Sequence, residues 1–333
     1  MAVNTTLAEL SNVLVYSSMA AYTGALVGFA VDLSGRGRVA IAPQAVELPA
    51  KQLVGASAER EPSTGLGDQG GTVPAGAAGS RGAAIAVALT WLAVVLHGAA
   101  VLARGLSASR VPWGNMYEFA LTGALVVAGV FLGLVVWRRE LRWLGVFAIG
   151  PVLLTIGLAL TVLYTDSAQL VPALQSPFLV VHVSIAFISS ALFTLAFSVN
   201  VLQLVQDRRE QSRERGSAPL RGRFMDRLPA AAELEALGYR LVALSFPLWT
   251  FTLVAGAIWA EQAWGRYWGW DPKEVWTFVI WVVYAAYLHA RATRGWDGRR
   301  ATYLSIAGFV CVLINFGIVN VFFSGQHSYA GIG

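Results

Sequence analysis

Charged residues are scarce in this sequence: Asp, Glu, Lys and Arg make up 13% of the 333 residues, whereas 56% are hydrophobic. Because a soluble domain carries about 25% charged residues, this composition excludes an ordinary soluble domain and indicates a polytopic membrane protein. The one cysteine, Cys311, lies in an apolar run. A disulfide framework, a thioredoxin-like cysteine pair and a C-x-x-C-H motif for covalent haem attachment are therefore all excluded.

What the sequence has instead is long apolar segments. Eight of them have a length close to the about 20 residues that a transmembrane helix requires. They predict an all-α membrane protein with about eight transmembrane helices. The first has no cleavage-like site followed by a soluble domain, so residues 1–33 are interpreted as an anchor and not as a removed signal peptide. The predicted spans are 12–32, 83–103, 116–137, 143–164, 178–205, 239–260, 273–291 and 301–323.

Residues 34–82 differ from the rest of the chain. They are rich in Gly, Ala, Pro and Ser and show no apolar period. This composition is typical of a flexible linker, here on the cytoplasmic side, that only connects the first span to the membrane domain 83–333.

Lys and Arg are distributed unevenly between the two faces of the predicted bundle. The segments that join spans 1–2, 3–4, 5–6 and 7–8 hold 20 of the 24 basic residues. The positive-inside rule places these segments in the cytoplasm and both termini outside. The basic excess is therefore topological and predicts no nucleic-acid ligand, although 138–140 and 207–227 are basic enough to contact anionic lipid.

The most unusual stretch is WGRYWGWDPKEVW, residues 264–276, which contains four Trp and one Tyr in thirteen residues. Asp271, Pro272 and Glu274 are spaced as a helix cap, a first helical residue and the partner of a capping box. The stretch is either an interfacial aromatic belt or a surface for a large flat apolar ligand, and its density favours the ligand. On the predicted topology it lies outside.

Only four histidines occur, and a histidine within a membrane span is a functional candidate by default. At about 1.5 Å per residue, His182 and His327 lie near the outer end of the bundle and His289 near the inner end. Haem iron takes two axial imidazoles, so His182 and His327 are predicted to be a haem-binding pair. His289 would be half of a second site, and His97 is interpreted as structural or secondary.

Several stretches resemble the CcsA (ResC) family, whose members share a tryptophan-rich "WWD" signature and handle haem in System II cytochrome c biogenesis. They are WGNMYEF at 113–119, VPALQSPFLVVHVS at 171–184, the aromatic stretch 264–276, YLHAR at 287–291 and GQHSY at 325–329. The similarity covers most of residues 85–330 in the order expected for the family.

The resemblance implies specific roles. His182 and His327 would ligate haem externally, on an aromatic surface formed by Trp264, Trp268 and Trp270. Asp271 is interpreted as a helix cap, with contact to haem or substrate as the alternative. His289 would bind haem within the membrane, together with a ligand from a ResB (Ccs1)-like partner.

The predicted function is that of the haem-handling subunit of a cytochrome c haem lyase in the bacterial cytoplasmic membrane. It would present non-covalently bound haem b, a substrate in transit, to apocytochrome c. Three alternatives remain open at this stage. They are a b-type cytochrome that exchanges electrons with quinone, a transporter with an aromatic gate, and a haem-delivery subunit of another cytochrome c assembly system.

Overall fold

The computed structural model describes residues 3–35, 81–168, 176–216 and 223–327. Within these ranges, eight helices are long and apolar enough to cross a membrane, which confirms the predicted all-α polytopic fold. The predicted linker 34–82 lies outside the described residues, apart from two residues at each end that belong to helices.

The helices extend further than several of the apolar segments that predicted them. Helix α5 continues nine residues past its predicted span, and α6 begins eight residues before its predicted span. The additional residues include charged ones, which remain helical outside the apolar layer of a membrane. Helix α4 follows a 3₁₀ turn, and α8 continues through a π-helical turn to a last short helical segment. The elements are α1 Thr5–Gly35, α2 Arg81–Ser107, α3 Met116–Trp137, the 3₁₀ turn Arg139–Leu144, α4 Gly145–Thr161, α5 Pro177–Glu214, the 3₁₀ turn Arg223–Arg227, α6 Ala231–Trp264, α7 Pro272–Arg294, α8 Arg299–Leu313, the π turn Ile314–Val319 and the segment Asn320–Phe322.

Helices α1 and α2 pack closely as an antiparallel pair. Small side chains on both helices allow this approach: Ala25 and Ala93 are fully buried, and a methyl group added at Gly28 would lie 3.0 Å from Ala86. The Ser11 hydroxyl also donates a 2.8 Å hydrogen bond to a backbone carbonyl of α2. Such small-residue interfaces are a usual means of helix association in membranes.

Helices α5 and α6 form a second close pair. The hydroxyls of Ser189 and Ser245 each donate to the backbone carbonyl of the other residue, at 3.0 and 2.7 Å. Reciprocal bonds of this kind fix the relative height of the two helices, because each hydroxyl has its partner only in one register. They therefore set the position of His182 on α5 against the facing turns of α6.

A buried ionic cluster holds the segment between α2 and α3. The Glu118 carboxylate accepts hydrogen bonds from Arg104 Nε at 3.2 Å, from Arg110 at 2.5 and 2.9 Å, and from the Gly114 N–H at 2.9 Å. The Asn115 side chain caps α3 by accepting from the Glu118 N–H at 2.9 Å. The WGNMYEF stretch thus contains the cap and the first turn of α3, and the buried cluster attaches it to the end of α2.

We expect the Glu118→Gln protein to lose a large part of its stability, because Arg104 would remain buried with its carboxylate partner gone. Breaking a buried pair in this way typically costs about 3–5 kcal/mol. The measurement is the thermal unfolding midpoint of the purified protein in detergent. The matched control is Glu140→Gln, since Glu140 forms an exposed ion pair with Arg138 that is worth about 0–1 kcal/mol. Equal midpoints for the two variants would contradict a supporting role for the cluster.

Candidate functional site

The aromatic segment 264–276 contains the last residue of α6, a compact turn and the first residues of α7. Helix α6 ends at Trp264 and is followed by Gly265, whose φ of 70° lies in the left-handed region that favours glycine. The Asp271 side chain accepts from the Lys273 N–H at 3.1 Å, and the Glu274 side chain accepts from the N–H groups of Asp271 and Gly269 at 3.0 and 2.8 Å. The predicted capping box is confirmed.

Asp271 has a second role that the sequence did not reveal. Its carboxylate also accepts from the Gln326 N–H at 2.6 Å and lies 2.9 Å from Nδ1 of His327. Burial raises the pKa of a carboxyl, but the His327 hydrogen bond and two backbone N–H groups outweigh burial and hold the pKa of Asp271 below its usual value. The ionised Asp271 carboxylate at the start of α7 therefore links the segment after α8 to the aromatic turn through these hydrogen bonds.

The hydrogen bond to Asp271 fixes the orientation of the His327 ring. Because the carboxylate only accepts, Nδ1 carries the proton of this hydrogen bond, and the neutral ring has its lone pair on Nε2. The ring packs edge-on against Trp264 and Trp259, with centroid distances of 5.0 and 6.1 Å. A carboxylate that orients a histidine in this way is the usual outer-shell partner of a metal-binding imidazole.

His182 is oriented by a backbone carbonyl instead. Its Nδ1 lies 2.9 Å from the Thr252 carbonyl of α6, so Nδ1 donates and Nε2 again keeps its lone pair. A methyl group added at Gly256 would lie 2.7 Å from the ring, which shows that α6 admits the imidazole only because this position lacks a side chain. Trp259, also on α6, lies nearly parallel to the imidazole, with ring centroids 6.5 Å apart and 17° between the ring planes.

One cavity brings the two histidines together. It encloses about 1240 Å³ of space free of protein atoms, including its open mouth. Its walls come from α3, α5, α6, α7, the π turn and the aromatic segment. Most of the lining is apolar, and the residues that contribute aromatic or polar groups include Trp113, Asn115, Phe119, His182, Trp249, Thr252, Trp259, Tyr267, Trp268, Lys273, Glu274, Thr277, Asn315, Phe316 and His327.

The three predicted Trp residues occupy different positions around this cavity. Trp268 lines it directly. Trp264 lies behind His327 and supports that ring from outside the cavity. Trp270 is 76% exposed, with a positive φ of 58°, and contacts Trp268 edge-on at 5.9 Å.

The remaining histidines lie apart from the cavity. His97 is fully buried between α1 and α2, where its Nδ1 is 3.4 Å from the Tyr22 hydroxyl. His289 is exposed on α7, eighteen residues beyond Asp271, and its ring makes no hydrogen bond to any other described residue.

The cavity-lining side chains that sequence reasoning missed include Trp113, Trp259, Lys273 and Asn315. Trp113 lies in the WGNMYEF stretch, which points only to the family resemblance, and Lys273 lies in the capping-box sequence, where only Asp271, Pro272 and Glu274 predict local structure. Trp259 and Asn315 lie within apolar spans, where nothing in the pattern distinguishes a cavity wall from a helix contact. The signal for Asn315 was an isolated amide in a membrane span, a residue type that is expensive there.

Comparison with known proteins gives the family. A profile described as Cytochrome C assembly protein matches residues 113–327, a range that contains the cavity, both of its histidines and the aromatic segment.

The chain belongs to the cytochrome c assembly protein family.

Named relatives agree with this membership. "Cytochrome c biogenesis protein CcsA" of Picosynechococcus sp. is 34% identical over 68% of this chain and 82% of its own length, and that of Prochlorococcus marinus (strain MIT 9515) is 37% identical over 69% and 78%. The similarity to CcsA stated from the motifs is confirmed. This member of the cytochrome c assembly family is accordingly a multi-pass membrane protein that handles haem in cytochrome c biogenesis.

A solved structure supports the fold. The chain titled "Cytochrome c Heme Lyase CcmF" superimposes with a TM-score of 0.59 at 16% identity, and the match covers 100% of this chain but 49% of CcmF. This chain therefore spans about half the length of that protein, and the likeness concerns the fold alone.

We expect Asp271→Asn to lower the thermal midpoint at neutral pH, because asparagine cannot satisfy His327 and the two backbone N–H groups as the carboxylate does. The folded-state pKa of Asp271 is below its unfolded value, so its contribution is complete above about pH 4 and is lost as the pH falls through the folded pKa. The difference between wild type and variant should thus shrink on acidification. Thermal unfolding from pH 7 to pH 3 measures it.

The control for this prediction is Asp297→Asn. Asp297 is largely exposed and lies 3.6 Å from Arg291, so its removal should change the midpoint little at any pH. A difference between wild type and Asp271→Asn that stays constant down to pH 3 would exclude the carboxylate charge as its cause.

Proposed function

We propose that this chain holds haem between His182 and His327 at the outer face of the membrane and presents it to apocytochrome c. One observation carries the proposal. Two imidazoles from different parts of the chain line the same large apolar cavity, and each has Nδ1 engaged by the protein and Nε2 without a hydrogen-bond partner among the described residues. Bis-imidazole ligation needs two such nitrogens.

The walls of the cavity suit a flat apolar ring system. The cavity that both histidines line is also lined by the aromatic side chains of Trp113, Tyr267 and Trp268. Aromatic side chains bury large apolar areas in specific geometries. Trp264 supports His327 from behind, and the exposed Trp270 lies next to Trp268 at the rim. A rim that exposes apolar surface fits a site from which cargo passes to another protein.

The cargo is haem b, held without a covalent bond to this chain, since the sequence contains no C-x-x-C-H motif. Haem contributes the iron that the imidazoles bind and the vinyl groups to which the thiols of apocytochrome c add. The contribution of this chain's own residues is to hold and orient the ring system and to keep both axial positions of its iron filled.

A second haem position involves His289 and a partner protein. His289 is exposed on the surface of α7 and lies about 27 Å along the helix axis from Asp271, at the other end of the span. His97, His182 and His327 are not beside it, so a ResB (Ccs1)-like membrane protein supplies the second imidazole. Haem enters at this inner position and then reaches the outer cavity.

The proposed location is the bacterial cytoplasmic membrane, with the aromatic segment and both termini on the outer face. The support is the concentration of 20 of 24 basic residues on the opposite face, together with the positive-inside rule. The relatives named CcsA favour System II over another assembly system.

We expect His182→Ala and His327→Ala each to weaken haem binding by more than the about 10- to 100-fold that loss of an outer-shell partner typically costs. Cytochrome c maturation in cells should fail in both cases. Added imidazole should restore part of the binding, because it fills the vacated axial position. The optical spectrum of the purified protein measures binding.

His97→Ala is the control for this pair, since it removes an imidazole that does not line the cavity. It should keep the bis-imidazole spectrum. Normal cytochrome maturation by both His182→Ala and His327→Ala would rule out the proposed ligand pair.

We expect His289→Ala to lower the haem content of both positions, because the inner position supplies the outer one. Loss of His182 and His327 should instead leave inner haem in place. Haem content is measured in proteins isolated from cells without added haem, with and without the partner. Full outer haem in His289→Ala would show that haem reaches the cavity by another route.

A further inference from the structure

Helix α8 is interrupted beside the cavity. Residues Ile314–Val319 form a π-helical turn between two α-helical parts, a rare conformation that occurs often at functional sites. Asn315 and Phe316, at the start of this turn, both line the cavity. The turn therefore places a backbone carbonyl, an amide side chain and an aromatic ring against one side of the site.

The Lys273 side chain reaches this turn from the start of α7. Its Nζ donates to the Asn315 carbonyl at 3.1 Å and lies 4.5 Å from the centre of the Phe316 ring. No carboxylate forms a salt bridge with it in the described part of the chain. An ammonium group in an apolar cavity is costly without an anionic partner, and its two remaining N–H donors are available to a ligand.

Asn315 provides an independent sign of a missing partner. Its side chain is 1% exposed, yet Oδ1 has no hydrogen-bond partner, and Nδ2 makes only a long contact of 3.4 Å to the Thr277 hydroxyl. Buried polar atoms are nearly always paired. Half a turn about the last side-chain bond would present Nδ2 at the point where Oδ1 now lies, so the amide offers a ligand either an acceptor or a donor.

The neighbouring carboxylate is occupied elsewhere. Glu274 also lines the cavity, but Oε2 accepts from the N–H groups of Gly269 and Asp271 in the capping box. Asp271 is likewise committed to His327 and to backbone N–H groups. These contacts hold both acidic groups in the aromatic turn, and Lys273 is the cationic side chain among the described residues that line the cavity.

We propose that Lys273, together with the Asn315 amide, forms a carboxylate-binding subsite of the cavity that takes a propionate of the haem. This inference rests on the proposed function and adds to it how the haem is oriented in the cavity. The propionates of haem share one edge of the ring system, and the vinyl groups lie on other edges. A propionate held at the π turn therefore fixes the rotation of the ring about the axis through the two imidazoles and determines which vinyl groups face the mouth.

The test compares two ligands on the full chain in detergent, iron protoporphyrin IX and its dimethyl ester. Both keep the iron and the ring system, but the ester has no carboxylates. We expect wild type to bind the free acid at least about tenfold more tightly, as a charge-assisted hydrogen bond provides. Spectral titration gives both affinities and reports the iron ligation at the same time.

Substitutions test whether Lys273 causes this preference for the free acid over the ester. Lys273→Met should weaken binding of the free acid to the level of the ester and leave the bis-imidazole spectrum unchanged, whereas Lys273→Arg should keep most of the preference. Arg266→Met is the matched control: Arg266 belongs to the same aromatic segment and lies against Gly269, but it does not line the cavity. Its preference for the acid should equal that of wild type.

Two results would overturn the inference alone: equal affinity of wild type for acid and ester with a normal bis-imidazole spectrum, or a Lys273→Met variant that weakens both ligands equally. The ester makes the same test without any substitution, so the result does not depend on how a variant folds. Absence of a bis-imidazole spectrum in wild type with either ligand would overturn the proposed function and this inference together.

Discussion

The hydrogen-bonded carboxylate of Asp271 is the constraint on which the site depends. It caps α7, accepts a backbone N–H from the segment after α8 and orients His327. Through it the aromatic turn, the segment after the last helix and one imidazole are joined at a single side chain. A single short acidic side chain can do this because the first backbone N–H groups of a helix already favour a negative charge at that point, so the charge is stabilised before the histidine is added.

Helix pairing determines the other half of the site in a different way. The reciprocal Ser189–Ser245 bonds set the register of α5 on α6, and the absence of a side chain at Gly256 lets the His182 ring lie against α6. The two imidazoles are thus oriented by unlike means, one by a carboxylate at a helix end and the other by a carbonyl within a helix. Both arrangements leave Nε2 without a hydrogen-bond partner among the described residues, as the proposed bis-imidazole binding of haem requires.

The sequence predicted the parts of this structure that depend on local pattern. Apolar length predicted eight spans, and the spacing of Asp271, Pro272 and Glu274 predicted the capping box. It did not predict the bond between Asp271 and His327, because the two residues are 56 positions apart and only packing of α7 against α8 brings them together. Helix depth indicated that His182 and His327 share one end of the bundle, but it contains no information about which ring nitrogen is engaged.

The sequence pattern also could not predict that the three Trp side chains lie apart from one another. A run of aromatic residues predicts an aromatic surface, whereas the backbone decides where each ring goes. The left-handed conformations of Gly265 and Trp270 turn the chain twice within six residues and send Trp264, Trp268 and Trp270 in different directions. The π turn at Asn315 was equally hidden, since its residues are as apolar as the helix around them.

Trp259 contacts both imidazole rings from inside the protein, stacked on one and edge-on to the other. Its indole is almost completely buried, so its ultraviolet emission is shielded from solvent quenchers. A haem held between the two imidazoles, as proposed, would lie close enough to the Trp259 indole to accept its excitation energy. A haem bound as proposed therefore lowers the fluorescence of Trp259 and of the other indoles that line the cavity, and this fluorescence returns when the haem leaves.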